Sequence, residues 1–289
     1  MIFKGSATAL ITPFSDNGID RDSLRRLLNY QIENGTDAVV VLGTTGEPAT
    51  MTDEEKTEVI KIAVETLKGK VPVIVGTGAN STAQAIKNSV KAEQLGADAL
   101  LIVTPYYNKA TQEGLVRHYT AIADSVNIPI ILYNVPGRTG VNMLPKTVKT
   151  LCEHKNIRAV KEASGNMEQI QEVIRLVGGS AQVFSGDDSL TVATMALGGD
   201  GIISVASNVV PRFVSDMCKA FFDGDLKKAA SMQLQMMPLI KVLFSEVNPI
   251  PVKKAAEFMG LCSGTLRLPL TEMSNDNAKE LIKILKEFL

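Results

Sequence analysis

The chain has 289 residues, of which 45% are hydrophobic, so it can bury a larger core than an ordinary single domain. Thirty lysine and arginine residues stand against 31 aspartate and glutamate residues, which gives a net charge of −1. This balance argues against nucleic acid or an anionic membrane surface as a partner.

The sequence shows no sign of membrane insertion or secretion. No apolar run approaches the roughly 18 residues needed to span a bilayer, and Met1–Gly5 carries no apolar signal segment. The cysteines are too few and too far apart for a disulfide framework or a zinc site: Cys152, Cys218 and Cys262. We therefore expect a soluble cytoplasmic protein that uses no metal and no organic cofactor.

Short apolar, β-branched runs alternate with helix-like segments up to about residue 223. Continuous apolar runs are typical of strands that are buried on both faces of a parallel sheet. Eight such units, one strand and one helix each, predict a (β/α)8 TIM barrel, with an open doubly wound sheet as the alternative. The predicted strands are Ser6–Ile11, Ala38–Leu42, Val71–Val75, Ala99–Val103, Ile128–Tyr133, Arg158–Lys161, Gln182–Phe184 and Gly201–Ser204.

The segments between these runs carry helix signals. Asp20 precedes leucines at helical spacing, and Thr52–Glu55 forms a capping box with acidic residues in the first turn. After Gly224 the strand pattern stops, and three amphipathic stretches follow at 225–243, 249–259 and 276–288. The sequence thus predicts a barrel over residues 1–224 and a C-terminal helical appendage over residues 225–289.

Polar residues and glycines follow nearly every predicted strand. Because the active sites of TIM barrels lie at the carboxyl ends of the strands, these residues are expected to share one rim. The segments concerned are Gly43–Glu47, Gly76–Asn80, Thr104–Asn108, Tyr133–Gly140, Lys161, Ser185–Asp188 and Ile203–Ser204.

Lys161 ends an otherwise apolar strand, where burying an ammonium group is unfavourable unless its charge is removed or paired. A lysine with a lowered pKa is a nucleophile toward carbonyl groups, so we interpret Lys161 as a Schiff-base lysine acting on a keto substrate. The alternative is a strand-end lysine that reaches into water. Three tyrosines fall at this rim, Tyr106, Tyr107 and Tyr133. A phenol there suits proton transfer, with Thr44 or Thr45 as relay, and aromatic packing under a loop is the alternative role. Arg138 suits capture of a carboxylate or is a surface charge.

Other motifs favour no further chemistry. Gly76-Thr77-Gly78 lacks the third glycine of a dinucleotide-binding loop, and no Walker lysine is present. Asp187 and Asp188 stand just before an apolar segment, which favours helix capping over a paired-carboxylate site.

Taken together, these residues resemble the dihydrodipicolinate synthase family, within the N-acetylneuraminate lyase superfamily of Schiff-base aldolases, along essentially the whole chain. The segments that carry the resemblance are Gly5–Phe14, Gly43–Glu47, Thr104–Asn108, Tyr133–Gly140, Val160–Ala163 and Asn248–Lys253.

The resemblance implies condensation of pyruvate with aspartate 4-semialdehyde, a step of diaminopimelate and lysine biosynthesis, by a homotetramer built as a dimer of dimers. It implies that Lys161 forms the imine, Tyr133 is the general acid and base, and Thr44 links it to Tyr107 from a neighbouring subunit. The implied substrate-binding positions are Thr45 for the pyruvate carboxylate, Arg138 for the carboxylate of the second substrate, and the backbone carbonyls of Gly186 and Ile203.

The resemblance also implies a lysine-effector cleft, which this sequence alters. Responsive relatives carry glutamate where Gln84 stands and often histidine where Lys56 stands, so the changes here disfavour a cationic effector. We therefore expect weak or absent inhibition by lysine. The matching positions are Pro48, Ala49, Lys56, Asn80, Gln84 and Tyr106.

Two alternative functions remain at this point. One is another lyase of the superfamily, acting on sialic acid or a 2-keto-3-deoxy sugar acid, for which Arg138 would be less useful. The other is a catalytically inactive barrel that senses a ligand, against which the intact set Lys161, Tyr133, Thr44 and Arg138 argues.

Overall fold

The computed structural model describes residues 1–289 and contains a closed barrel of eight parallel strands. The first barrel strand pairs with both the second and the eighth, which closes the sheet. The predicted barrel is thereby confirmed, each predicted strand is present within two residues of its expected ends, and the open-sheet alternative is wrong. The barrel strands are Gly5–Ala9, Ala38–Val41, Val73–Gly76, Ala99–Val103, Ile130–Asn134, Ile157–Glu162, Gln182–Ser185 and Gly201–Ser204.

Helices connect the strands and cover the outside of the barrel. The capping box is confirmed, since Thr52 accepts a hydrogen bond from the Glu55 N–H and Glu55 accepts one from the Thr52 N–H. The α-helices are Arg21–Glu33, Asp53–Leu67, Thr82–Gln94, Gln112–Asp124, Pro136–Thr139, Pro145–Cys152, Met167–Val177, Thr191–Ala196, Pro211–Phe222, Leu226–Leu243, Ile250–Phe258 and Asn275–Leu285.

Short elements complete the architecture. Four one-turn 3-10 helices are present, Thr44–Gly46, Pro48–Thr50, Asp188–Leu190 and Ala206–Asn208. A small antiparallel hairpin, which the sequence analysis did not predict, pairs Phe14–Ser15 with Gly18–Ile19. No helix combines the length and the apolar character needed to cross a bilayer.

The three predicted C-terminal helices are present as Leu226–Leu243, Ile250–Phe258 and Asn275–Leu285. Fully buried residues of the first of them, Met236 and Leu239, belong to the same hydrophobic core as the barrel helices. The division into a barrel over residues 1–224 and an appendage over residues 225–289 therefore stays a prediction of the sequence.

The inside of the barrel forms a second, smaller apolar cluster. Side chains alternate along each strand, so every other residue points inward. Phe3 stacks on Phe184 with ring centroids 4.1 Å apart. Because the interior is filled with apolar side chains, a polar group on an inward-facing position at the rim is cut off from water on its inner side. The inward set is Phe3, Ala7, Ala9, Ala38, Val40, Ile74, Ala99, Leu101, Ile131, Tyr133, Ala159, Phe184 and Ile203.

Candidate active site

Lys161 lies near the carboxyl end of the sixth barrel strand, and its side chain faces the barrel interior. Ala159 belongs to the inward set, and alternation along the strand places Lys161 on the same face. Lys161 is only 4% exposed, and burial lowers its pKa to about 8. The charge of Asp188 opposes this shift, and the charge of Arg138 adds to it. Near neutral pH this amine is neutral far more often than that of an exposed lysine.

Tyr133 stands directly beside Lys161, as its register partner on the fifth barrel strand. The Lys161 Nζ atom lies 4.5 Å from the centroid of the tyrosine ring. Burial raises the pKa of the phenol, whereas the charge of Arg138 and a hydrogen bond with Thr44 act in the opposite direction. The phenol therefore keeps its proton through pH 8, where the neighbouring amine begins to lose its own, and this pairing suits proton transfer.

The second barrel strand leads into the 3-10 helix Thr44–Gly46, which brings two hydroxyl groups to the same rim. Thr44 is the residue that reaches the Tyr133 hydroxyl. Thr45 is buried, and its Oγ1 accepts a hydrogen bond of 2.9 Å from Nδ2 of Asn248. The residue pattern left either threonine open as the partner of the tyrosine, and the structure places Thr44 there.

The backbone just before this turn packs against a glycine at the end of the neighbouring strand. Leu42 has a φ of +57°, and a Cβ atom built on Gly76 would lie 2.1 Å from the Leu42 carbonyl oxygen. A Cβ atom on Gly78 would lie 2.7 Å from the backbone nitrogen of Val103. The two glycines therefore allow neighbouring strand ends to approach closely, which explains this motif without a nucleotide.

Arg138 projects from the short helix Pro136–Thr139 on the exposed side of the site. Its Nη2 atom donates a hydrogen bond of 3.1 Å to the carbonyl oxygen of Asn248. A cavity of about 640 Å³ lies at this rim, and its lining includes Thr44, Tyr133, Arg138 and Asn248. This volume is typical of small-molecule sites, and Lys161 and Thr45 are not among the residues that line it.

Gly186 packs against the stem of the lysine. A Cβ atom at this position would lie 2.5 Å from Cβ of Ala163 and 3.0 Å from Cε of Lys161. Glycine therefore leaves the space in which the lysine side chain runs. Ile203 is fully buried in the barrel interior and is not among the residues that line the cavity. The implied roles of these two carbonyl groups stay predictions.

Tyr107 does not join the site of its own chain. Its side chain is 90% exposed, its φ is +73°, and it does not line the cavity. A positive φ is unusual for a bulky residue such as tyrosine. Its expected place in the site of a neighbouring subunit stays a prediction.

The positions of the implied effector cleft lie mostly along the same cavity. The lining includes Pro48, Ala49, Lys56, Gln84 and Tyr106. Asn80 is outside the lining, and its carbonyl oxygen accepts a hydrogen bond of 2.9 Å from Asn108 Nδ2. The sequence analysis missed two further lysines of the lining, Lys87 and Lys91.

Two buried carboxyl groups support the site from behind. Asp188 accepts hydrogen bonds from the Ser204 hydroxyl at 2.5 Å and from the Val205 and Ala206 N–H groups at 3.0 and 3.2 Å. The expected capping role is confirmed for Asp187, which accepts from the Ser189 N–H. Asp188 instead fastens the end of the eighth strand beside the lysine.

Glu162 follows Lys161 on the strand and points to the opposite face, where it is fully buried. It accepts hydrogen bonds from Asn134 Nδ2 at 3.0 Å and from the Ser164 N–H at 2.9 Å. Burial raises the pKa of this carboxyl group. The sequence analysis missed this residue, although a carboxylate inside an apolar strand signals a hydrogen-bonded network.

No group of three or more histidine, cysteine, aspartate and glutamate side chains is arranged to hold a metal ion. The chemistry that the site itself offers is that of a buried amine, a phenol, hydroxyl groups and an arginine. This set suits reversible addition to a carbonyl group on a carboxylate-bearing substrate.

Comparison with known proteins identifies relatives along the whole chain. The model of the dihydrodipicolinate synthetase family matches residues 2–288. The 4-hydroxy-tetrahydrodipicolinate synthase of Geobacter sulfurreducens is 54% identical over 287 residues, which cover 99% of both chains.

Two solved structures are similar throughout. A dihydrodipicolinate synthase from Acinetobacter baumannii in complex with pyruvate is 44% identical, with a TM-score of 0.97 and 100% of both chains covered. A structure described as the first monomeric dihydrodipicolinate synthase variant is 44% identical, with a TM-score of 0.98, and covers 100% of this chain and 98% of that chain. The resemblance noted in the sequence is therefore confirmed, and this chain belongs to the dihydrodipicolinate synthetase family.

Proposed function

We propose that this chain condenses pyruvate with L-aspartate 4-semialdehyde through a Schiff base on Lys161. The observation that carries the proposal is a buried amine with a pKa lowered to about 8, whose Nζ atom lies 4.5 Å from the Tyr133 ring. Full-length relatives that are 50–54% identical are 4-hydroxy-tetrahydrodipicolinate synthases, so the comparisons support this lyase activity and not the sialic acid or sugar-acid alternative.

The chemistry begins with attack of the neutral Lys161 amine on the keto carbon of pyruvate. A carbon–nitrogen bond forms, water leaves, and loss of a methyl proton gives an enamine. Tyr133 is placed to pass protons in these steps, with Thr44 at its hydroxyl as the relay. The hydroxyl of Thr45 is available for the pyruvate carboxylate.

The enamine carbon then attacks the aldehyde carbon of the second substrate and forms the new carbon–carbon bond. Arg138, on the exposed side of the cavity, binds the carboxylate of this substrate. The backbone carbonyl groups of Gly186 and Ile203 face the site. Finally, the amine of the second substrate displaces Lys161 and closes the ring, which releases the enzyme unchanged.

We further propose that the active assembly is a homotetramer in which Tyr107 enters the site of a neighbouring subunit. Its outward position and its left-handed backbone support this role, because an exposed aromatic side chain gains from burial against a partner. The similarity to an enzyme described as a monomeric variant supports self-association. Three buried, unpaired cysteines are in keeping with a reducing cytoplasm.

The implied effector cleft is proposed to respond weakly to lysine, if at all. Lys56, Lys87 and Lys91 contribute three ammonium groups to the cavity lining. Of its two carboxylates, Asp53 lies beside these lysines and Glu47 is paired with Lys253. A cationic amino acid would meet net repulsion there, and no glutamate occupies the position of Gln84.

Borohydride reduction in the presence of pyruvate tests the proposed chemistry. We expect a stable pyruvyl adduct that mass spectrometry maps to Lys161, and no adduct in Lys161→Ala. An adduct on another residue, or none, would contradict the proposal. A coupled assay with aspartate 4-semialdehyde, run beside sialic acid and 2-keto-3-deoxy sugar acids, separates the synthase from the alternative lyases, and adduct formation without turnover of any of them would indicate a ligand sensor.

A further inference from the structure

A second buried lysine lies close to the site but takes no part in the proposed chemistry. The Nζ atom of Lys253 stands 2.5 Å from Oε1 of Glu47, and the two side chains are 0% and 2% exposed. Lys253 also donates a hydrogen bond of 2.8 Å to the carbonyl oxygen of Thr265, and its ammonium lies 4.1 Å from the centroid of the Phe14 ring. Burying two opposite charges is costly even when they pair, so such a pair calls for a functional explanation.

The carboxylate end of this pair belongs to a strained residue at the edge of the site. Glu47 has φ +55° and ψ +40°, a left-handed conformation that is unfavourable for a residue with a side chain. It ends the 3-10 helix Thr44–Gly46, because its N–H donates to the Thr44 carbonyl oxygen at 3.2 Å. Glu47 is therefore the residue at one end of the turn that carries both threonine hydroxyl groups, and a contact that holds its carboxylate also holds that end.

The ammonium end belongs to a segment that touches the same turn independently. Lys253 lies on the helix Ile250–Phe258, which begins just after Asn248. Asn248 donates to Thr45 Oγ1 at 2.9 Å, and its carbonyl oxygen accepts from Arg138 at 3.1 Å. The C-terminal segment therefore contacts the turn through one hydrogen bond and one ion pair, more than 200 residues away in sequence.

We propose that Glu47 and Lys253 are positioning residues, which hold the Thr44–Gly46 turn in the geometry that binds the carboxylate of the keto acid. The inference rests on the proposed function. Docking of the C-terminal segment alone does not explain the pair, since Arg267 already fastens that segment through its contacts with Glu55 and the Thr50 carbonyl. Strained backbone at a site persists where the surrounding structure holds it, and here the ion pair does so.

Three variants test this role, Glu47→Gln, Lys253→Met and the double substitution. Each single variant leaves one buried charge unpaired and is expected to unfold at a lower temperature, whereas the double variant removes both charges and regains most of that loss. Two measurements are specific to positioning. One is the pyruvate concentration that gives half-maximal borohydride trapping, and the other is the KM for pyruvate. We expect both to rise at least tenfold in all three variants, the double variant included.

Two substitutions serve as controls at a temperature where every protein is folded. Arg267→Gln weakens the neighbouring ion pair and is expected to lower Tm without changing the KM for pyruvate. Lys254→Met removes an exposed pair on the same helix and is expected to change neither quantity.

A wild-type KM in the folded double variant, or an equal rise of KM in Arg267→Gln, would overturn the positioning role. If the single variants do not fold, the double variant decides. Failure of the wild-type protein to form an adduct would refute the proposed function instead.

Discussion

Replacing Lys161 with methionine is expected to stabilise the fold while it abolishes imine formation. The substitution keeps most of the shape of the side chain and removes the amine. The pKa of this amine is about 8 in the folded protein, against an ordinary value of 10.5. At 1.36 kcal/mol per pKa unit, the folded protein is destabilised by about 3 kcal/mol through this single group. The source of that free energy is burial of the ammonium in the apolar barrel mouth.

The pH dependence of this effect has a definite sign. Below pH 8 the lysine carries its proton in both the folded and the unfolded chain, so the folded state bears the full cost. Between pH 8 and 10.5 the folded protein loses the proton first and the cost falls, and above 10.5 it is gone. The gain in stability of the methionine variant should therefore be largest at neutral pH and small near the upper end of this window.

Denaturant unfolding of the two proteins at about pH 7 and pH 10 measures this difference, at one protein concentration because association contributes to apparent stability. Lys254→Met, which changes an exposed lysine, is the matched control and should stay within about 0.5 kcal/mol of wild type. A methionine variant that is less stable at pH 7, or equally stabilised at both pH values, would show that the amine is not desolvated. The rate of pyruvate trapping in the wild type should rise through pH 8 for the same reason.

Three further predictions concern the walls of the site. Gly186→Ala should slow pyruvate trapping at least tenfold and lower stability by about 1–3 kcal/mol, because its Cβ would lie 3.0 Å from Cε of Lys161; normal trapping would contradict this contact. Arg138→Gln should raise the KM for aspartate 4-semialdehyde at least tenfold in the coupled assay while pyruvate trapping stays within about twofold; a change in trapping alone would assign the arginine to pyruvate. L-lysine should inhibit weakly or not at all, and Gln84→Glu combined with Lys56→His should increase inhibition; a clear millimolar-range curve for the wild type would refute the electrostatic argument.

The barrel could be predicted from the sequence because its strands are buried on both faces. Segments such as Ala99–Val103 are continuously apolar, and their periodic recurrence leaves few topologies. The hairpin of Phe14–Ser15 with Gly18–Ile19 was missed because each of its strands has only two residues. Asn17 and Gly18 form an Asn-Gly pair at the start of the return strand, and this turn signal was available.

The site was predictable only in part, for a different physical reason. The rule that chemistry lies at the carboxyl ends of barrel strands places Lys161 and Tyr133 on one rim, and the sheet register brings them side by side. No local pattern shows that Asn248 reaches Thr45, because that contact joins a C-terminal loop to the 3-10 helix after the second barrel strand. Contacts of this kind depend on tertiary packing, which periodicity and propensity do not encode.

The two buried lysines of this chain show how the surroundings of an amine decide its use. Burial lowers the pKa of both, yet Lys253 has the Glu47 carboxylate at 2.5 Å and the Thr265 carbonyl at 2.8 Å, and these partners favour the charged form. No carboxylate is paired with Lys161, whose amine lies over the Tyr133 ring. We therefore expect Lys253 to stay a structural cation and Lys161 to act as the nucleophile. Because a fully buried ammonium in an ion pair does not attack a ketone, reductive trapping with pyruvate should label Lys161 and leave Lys253 unmodified.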